Sequence, residues 1–107
     1  MVEKNHDCSW TFLTNHSHVL LCLAEDSGMR MRDIAQEVGI TERAVQRIIS
    51  DLVDDGYIER VREGRRNTYK INTGMHLRHP IEHDRTIKEL IELVHNTNGR
   101  AAKPQRL

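Results

Sequence analysis

Residues 41–56 constrain this chain more than any other stretch. Thr41 is a natural N-cap, Glu42 adds negative charge to a first turn, and Gly56 supplies a stop. Between them Ala44, Val45, Ile48, Ile49, Leu52 and Val53 recur at the spacing of one helix face, which predicts an amphipathic helix. The composition then changes character. Tyr57-Ile58-Glu59-Arg60-Val61-Arg62 reads as a strand, Gly64-Arg65-Arg66-Asn67 as a turn, and Thr68-Tyr69-Lys70-Ile71 as a returning strand, together a β-hairpin.

Two shorter helical patterns precede this segment. Val19, Leu20, Leu23 and Ala24 mark a first helix within residues 14–27, with Thr14, Asn15 or Ser17 available as N-cap and Gly28 as its stop. Met29-Arg30-Met31 suits a very short strand or an extended linker. From Arg32 the apolar face Ile34, Ala35, Val38 predicts a second helix of about two turns, ended at Gly39 by a left-handed residue. Beyond an irregular segment at residues 72–79, Pro80 is placed to open a last helix, in which Ile87, Leu90, Ile91 and Val94 form an amphipathic face. The fold class is therefore α+β and mainly helical.

A chain of 107 residues supports one modest core, since about two-thirds of the unfolded surface is buried at this length. Sixteen basic residues balance sixteen acidic ones, so attraction to a polyanion has to come from local charge. No stretch approaches the roughly 20 apolar residues of a membrane helix, and no signal peptide is evident. Cys8 and Cys22 are too few for a disulfide framework, which together with the absence of a signal points to a cytoplasmic protein. Neither a G-x-S-x-G, a Walker loop, an H-E-x-x-H nor a G-x-G-x-x-G occurs. Asp54-Asp55 is a carboxylate pair at a helix end rather than an acid–base dyad, so an enzyme is not expected and no cofactor is implied.

The order helix, short strand, helix, glycine turn, helix, hairpin is that of a winged helix-turn-helix. The residues carry a resemblance as well. Asp33-Ile34-Ala35-Gln36-Glu37-Val38-Gly39-Ile40-Thr41 resembles the first helix and turn of the motif in MarR-like and ArsR-like regulators. Arg43-Ala44-Val45-Gln46-Arg47-Ile48 with Leu52, then Gly56-Tyr57-Ile58, is similar to their recognition helix and its exit, and Gly64-Arg65-Arg66-Asn67-Thr68-Tyr69 to their basic wing tip. The resemblance implies a three-helix bundle with a hairpin wing over residues 10–72 and an additional dimerisation helix within residues 73–98. Residues 1–9 and 99–107 are expected to be a flexible arm and tail. The implied function is sequence-specific binding of double-stranded DNA by a transcriptional regulator, as a homodimer whose two recognition helices lie about one turn of DNA apart.

The candidate DNA contacts follow from side-chain chemistry. With Val45, Ile48 and Leu52 on one face, Arg43, Gln46, Arg47 and Ser50 lie elsewhere, beside Ala44, and Arg and Gln pair bidentately with guanine and adenine edges. Thr41 can offer its hydroxyl to a phosphate. In the hairpin Arg60, Arg62, Arg65, Arg66 and Lys70 outnumber Glu59 and Glu63, so Arg62, Arg65, Arg66 and Asn67 are candidates for the backbone or a minor groove. Arg43 and Arg47 equally suit solvated pairs with Glu42 and Asp51, and a Gly-Arg-Asn tip is ordinary turn chemistry. The competing function is a winged helix used as a protein-interaction module, for which apolar residues on the outer helix face would be the sign.

Trp10, Phe12 and Leu13, with Ile87, Leu90, Ile91 and Val94, are the candidate dimer interface, the alternative being that Trp10, Phe12 and Leu13 cap the monomer's own core. His76, His79 and His83 cluster near the last helix, and His79 and His83 would sit one turn apart if that helix includes both. The cysteine-rich metal box of metal-sensing ArsR-like proteins is absent from the third helix, and no metal is assigned. Any effector is expected at the dimer interface or on a partner, with nothing to choose among a metal, a proton and a small molecule.

Overall fold

The computed structural model describes residues 9–95, with α1 (Asn15–Glu25), α2 (Met31–Val38), α3 (Glu42–Asp54), β1 (Ile58–Glu63), β2 (Arg66–Ile71) and α4 (Ile87–His95) in chain order. The tail expected at 99–107, and all of the arm except Ser9, lie outside these residues, as does Cys8. Two compact units divide the chain: Phe12–Thr73, and residues from Gly74 onward together with those up to Thr11.

In the first unit, Thr14 caps α1 from an extended backbone and its Oγ1 accepts from the Ser17 N–H at 3.3 Å. Five consecutive residues, Val19 to Leu23, are buried, so the middle of α1 is enclosed on every side, and the helix packs on α2, α3 and β2. The helix does not run on to Gly28. It stops at Asp26, whose carboxylate accepts from the Gly28 N–H at 3.1 Å and so offers the backbone a turn in place of another helical residue. Nor does Met29-Arg30-Met31 form a strand: Arg30 is the extended N-cap residue of α2 and Met31 its first residue. One ladder-like bond remains here, from the Tyr69 N–H to the Ser27 carbonyl at 3.1 Å.

α2 buries Ile34 and Ala35 and ends at Gly39, whose φ of 88° lies in the left-handed region expected of it. Thr41 then caps α3, its Oγ1 accepting from the Ala44 N–H at 3.0 Å. At the far end the Tyr57 N–H returns to the Leu52 carbonyl (2.9 Å) and the Gly56 N–H to that of Val53 (3.1 Å). With Gly56 at φ 83° this is a Schellman termination, which turns the chain directly into β1.

β1 and β2 pair antiparallel with Ile58 opposite Ile71 and Glu63 opposite Arg66. The loop is the two residues Gly64 and Arg65, with positive φ (66°) at the glycine only, as in II′ hairpins. Arg66 and Asn67, expected in the turn, therefore belong to β2. The core of this unit joins α1 to Ile34, Val45, Ile48, Ile49, Leu52, Tyr57, Ile58 and Tyr69.

The second unit is held by local bonds. Residues 75–77 meet residues 85–87 through the Leu77 N–H to Arg85 O and Ile87 N–H to Met75 O bonds, both 2.9 Å. Between them run turns, with the Glu82 N–H on the His79 carbonyl and the Arg85 N–H on that of Glu82. Pro80 thus sits in a turn, and helix begins only at Ile87. Its start is a capping box: the Glu89 N–H donates to Thr86 Oγ1 (3.3 Å) while the Thr86 N–H donates to Glu89 Oε1 (2.9 Å). Among the described residues no helix is long and apolar enough to cross a membrane.

Candidate nucleic-acid interface

α3 presents one polar arc. At 100° per residue, Arg43, Gln46, Arg47 and Ser50 fall within about 100° of one another, opposite the buried Val45, Ile48, Ile49 and Leu52. All four are exposed, and Ala44 beside them is half-buried. The salt-bridge reading of this face loses one partner, because Asp51 Oδ2 is engaged by His16 Nε2 of α1 at 2.9 Å. Among the described residues neither Arg43 nor Arg47 makes an ion pair. The arc carries donors suited to base edges and no apolar side chain, the feature a protein-docking helix would need. At its start, Thr41 Oγ1 is committed as an acceptor to Ala44, which leaves the hydroxyl proton to donate outward.

The hairpin register sorts the wing's charges in a way composition does not. Glu59 faces Lys70 and Glu63 faces Arg66, so both acids lie on one face, each opposite a base. Strand alternation puts Ile58, Arg60 and Arg62 on the other face, opposite Ile71, Tyr69 and Asn67. That face has a buried apolar base at Ile58 and Tyr69 and a basic outer part with no acid across the ladder. Arg60, counted among the hairpin's bases but not among its contact candidates, is held there: its guanidinium lies 5.8 Å from the centroid of the Tyr69 ring and its Nε donates to the Tyr69 hydroxyl at 3.5 Å. Arg62 Nε turns to the Gly64 carbonyl at 3.2 Å, which leaves its terminal nitrogens outward. Arg65 is exposed at the tip. Arg66 is placed differently, with Nη2 donating to the Gly28 carbonyl at 3.3 Å.

The remaining candidates fall in two places. Phe12 and Leu13 belong to the first unit, where Phe12 is 90% exposed and Leu13 half-buried. In the second unit Trp10 and Val94 are exposed, Leu90 and Ile91 half-buried, and Leu93, absent from the expected set, is 77% exposed. Ile87 is buried within the chain, so it has little surface to give an interface. His79 and His83 do not share a helix. His79 Nδ1 accepts from the Ile81 N–H at 3.0 Å, and His76 Nδ1 donates to the His83 carbonyl at 2.9 Å with the two rings stacked at 5.6 Å. Among the described residues no group of three His, Cys, Asp or Glu side chains is arranged to hold a metal. Cys22 is buried, and desolvation, reinforced by Glu37 and Glu25, pushes its thiol up to about 11, which makes it unreactive at neutral pH.

The family match falls within the first unit, and the structural likenesses extend beyond it. Residues 13–59 match a family model described as winged helix-turn-helix DNA-binding, a span from α1 to the start of β1. No curated protein matches the chain significantly. Among solved structures it is similar to one described as a predicted DNA-binding transcriptional regulator from E. coli, at 18% identity and TM-score 0.53 over 75% of this chain and 73% of that one. It is also similar to the zinc-dependent MarR family transcriptional regulator AdcR in its Zn(II)-bound state, at 20% identity and TM-score 0.50 over 90% of this chain and 62% of that one. At these identities the likeness is one of fold. Helix order, glycine terminations and hairpin agree with the family match: the chain has a winged helix-turn-helix fold, whose helical part is the span 13–59 that resembles the DNA-binding family and whose wing is β1 and β2.

Proposed function

We propose that the chain is a transcriptional regulator that binds double-stranded DNA sequence-specifically. α3 enters the major groove with Arg43, Gln46, Arg47 and Ser50 toward base edges, and Thr41 donates to a phosphate at its start. The wing follows the backbone or a minor groove with Arg62, Arg65 and Asn67. The observation that carries this reading is the exposed arc of α3, which offers Arg and Gln at helical spacing and nothing apolar. The protein works as a homodimer through the C-terminal unit, in the cytoplasm. Support for pairing comes from the apolar residues that α4 leaves exposed, and the two-fold arrangement sets two copies of α3 about one DNA turn apart.

The division of labour is testable by two substitutions. Arg47→Ala is expected to cost about 1–3 kcal/mol on the preferred duplex and to narrow its advantage over a scrambled one. Arg65→Ala is expected to weaken both duplexes alike and to reduce the salt slope by about one unit. Equal, sequence-independent losses from both would remove base reading from α3.

A further inference from the structure

Arg66 looks at first like one more cation for DNA, but its surroundings give it other work. Its Nη2 spans 38 residues of sequence to reach the Gly28 carbonyl at 3.3 Å, and three residues further along β2 the Tyr69 N–H reaches the neighbouring Ser27 carbonyl at 3.1 Å. Two consecutive carbonyls of the α1–α2 turn are thus received by one strand of the wing. That turn is itself pinned, through the Asp26 carboxylate on the Gly28 N–H. Gly28 is not required there by its backbone, since its φ lies outside the positive region that Gly39, Gly56 and Gly64 occupy. What the glycine leaves room for is the Arg66 guanidinium in this position: a Cβ at Gly28 would lie 2.9 Å from Arg66 Nη2 and move it aside. The charge of Arg66 is also opposed across the ladder by Glu63.

We propose that Arg66 is a positioning residue, a latch on the Gly28 carbonyl that fixes the wing against the α1–α2 turn. The wing's cationic contribution to DNA then comes from Arg60, Arg62 and Arg65, on the face and tip that no acid opposes. The DNA side of this proposal rests on the function proposed above. The latch itself does not, because it is a property of the free protein.

Gly28→Ala is the informative variant. It displaces the end of a flexible side chain, changes no charge and asks for no strained backbone. Amide hydrogen exchange of the free protein is to be compared for wild type, Arg66→Ala, Gly28→Ala, the double variant and Arg65→Ala, with the Ile49 amide reporting that the core is intact. The latch predicts that Arg66→Ala and Gly28→Ala each speed Tyr69 exchange several-fold, that the double variant adds little, and that Arg65→Ala changes nothing. On duplex DNA both latch variants lose affinity with the salt slope near wild type, whereas Arg65→Ala lowers the slope by about one unit. If Arg66→Ala lowers the slope as Arg65→Ala does, while Tyr69 exchange stays at the wild-type rate and Gly28→Ala is silent, Arg66 is a phosphate ligand and the proposal is overturned. Should no variant, nor wild type, bind DNA, the functional reading falls and the exchange comparison still decides the latch.

Discussion

The unit spanning Phe12–Thr73 and the C-terminal unit are ordered by different physics. Every buried apolar side chain among the described residues except Ile87 belongs to the first, where α1 is enclosed by α2, α3 and β2. The second shows the reverse balance, with Ile87 buried but Trp10, Ile81, Leu93 and Val94 exposed. Its definition comes from a capping box, a single β-bridge and a run of turns, each a short-range hydrogen-bond device. Net hydrogen-bond contributions are small, about 1 kcal/mol each, whereas burying a large apolar side chain contributes about 1.5–3 kcal/mol. The first unit therefore has its stabilising burial within itself. Among its described residues the second leaves apolar area uncovered, as the homodimer proposed above requires.

That contrast can be broken at several points. The largest effect belongs to the core of the first unit: Ile49→Ala, at a side chain 1% exposed, is expected to lose about 2–5 kcal/mol of stability in urea unfolding. A loss near zero would mean that this unit is not held by its core. Leu93→Glu comes next. At 77% exposed it should leave unfolding of the first unit unchanged while weakening self-association at least about tenfold, or about 1.4 kcal/mol, by analytical ultracentrifugation. Unaltered association would place the interface on another surface.

The smallest effect is an acid one at the start of α4. The Thr86 N–H, the Arg85 guanidinium and the Thr86 hydroxyl hold the Glu89 carboxyl below its ordinary value of 4.5. A carboxyl with a lowered folded-state pKa adds stability above its unfolded value and loses it as pH falls through the folded one. The helix start should therefore stay closed through mildly acidic pH and loosen only below the usual carboxylate range. Exchange of the Thr86 amide followed by NMR checks this, and Glu89→Gln should flatten the acid response.

What the sequence makes legible follows the same division. Thr14, Thr41, Gly39 and Gly56 act where their chemistry places them, because caps and left-handed stops are decided by one or two residues. Gly28 misleads, since the preceding Asp26 ends α1 first and the glycine serves a contact 38 residues away. α2 starts one residue ahead of expectation because Arg30 gives no side-chain cap to mark the boundary. Hairpin composition shows the wing but not which arginines share a face, which depends on a two-residue loop and reverses with a one-residue slip. Pro80 suggests a helix start, yet Thr86 and Glu89 hold the stronger signal three residues apart. The polar arc of α3 is readable from spacing alone. The His16–Asp51 bond across 35 residues, which takes Asp51 from the neighbouring arginines, is not.

The most direct measurement is fluorescence anisotropy of two labelled duplexes, one from upstream of the protein's own gene and one scrambled, titrated at two salt concentrations. The account predicts tighter binding to the upstream duplex, with both affinities falling as salt rises. Folded protein that binds neither duplex at low salt would contradict it and turn the outer face of α3 toward a protein partner.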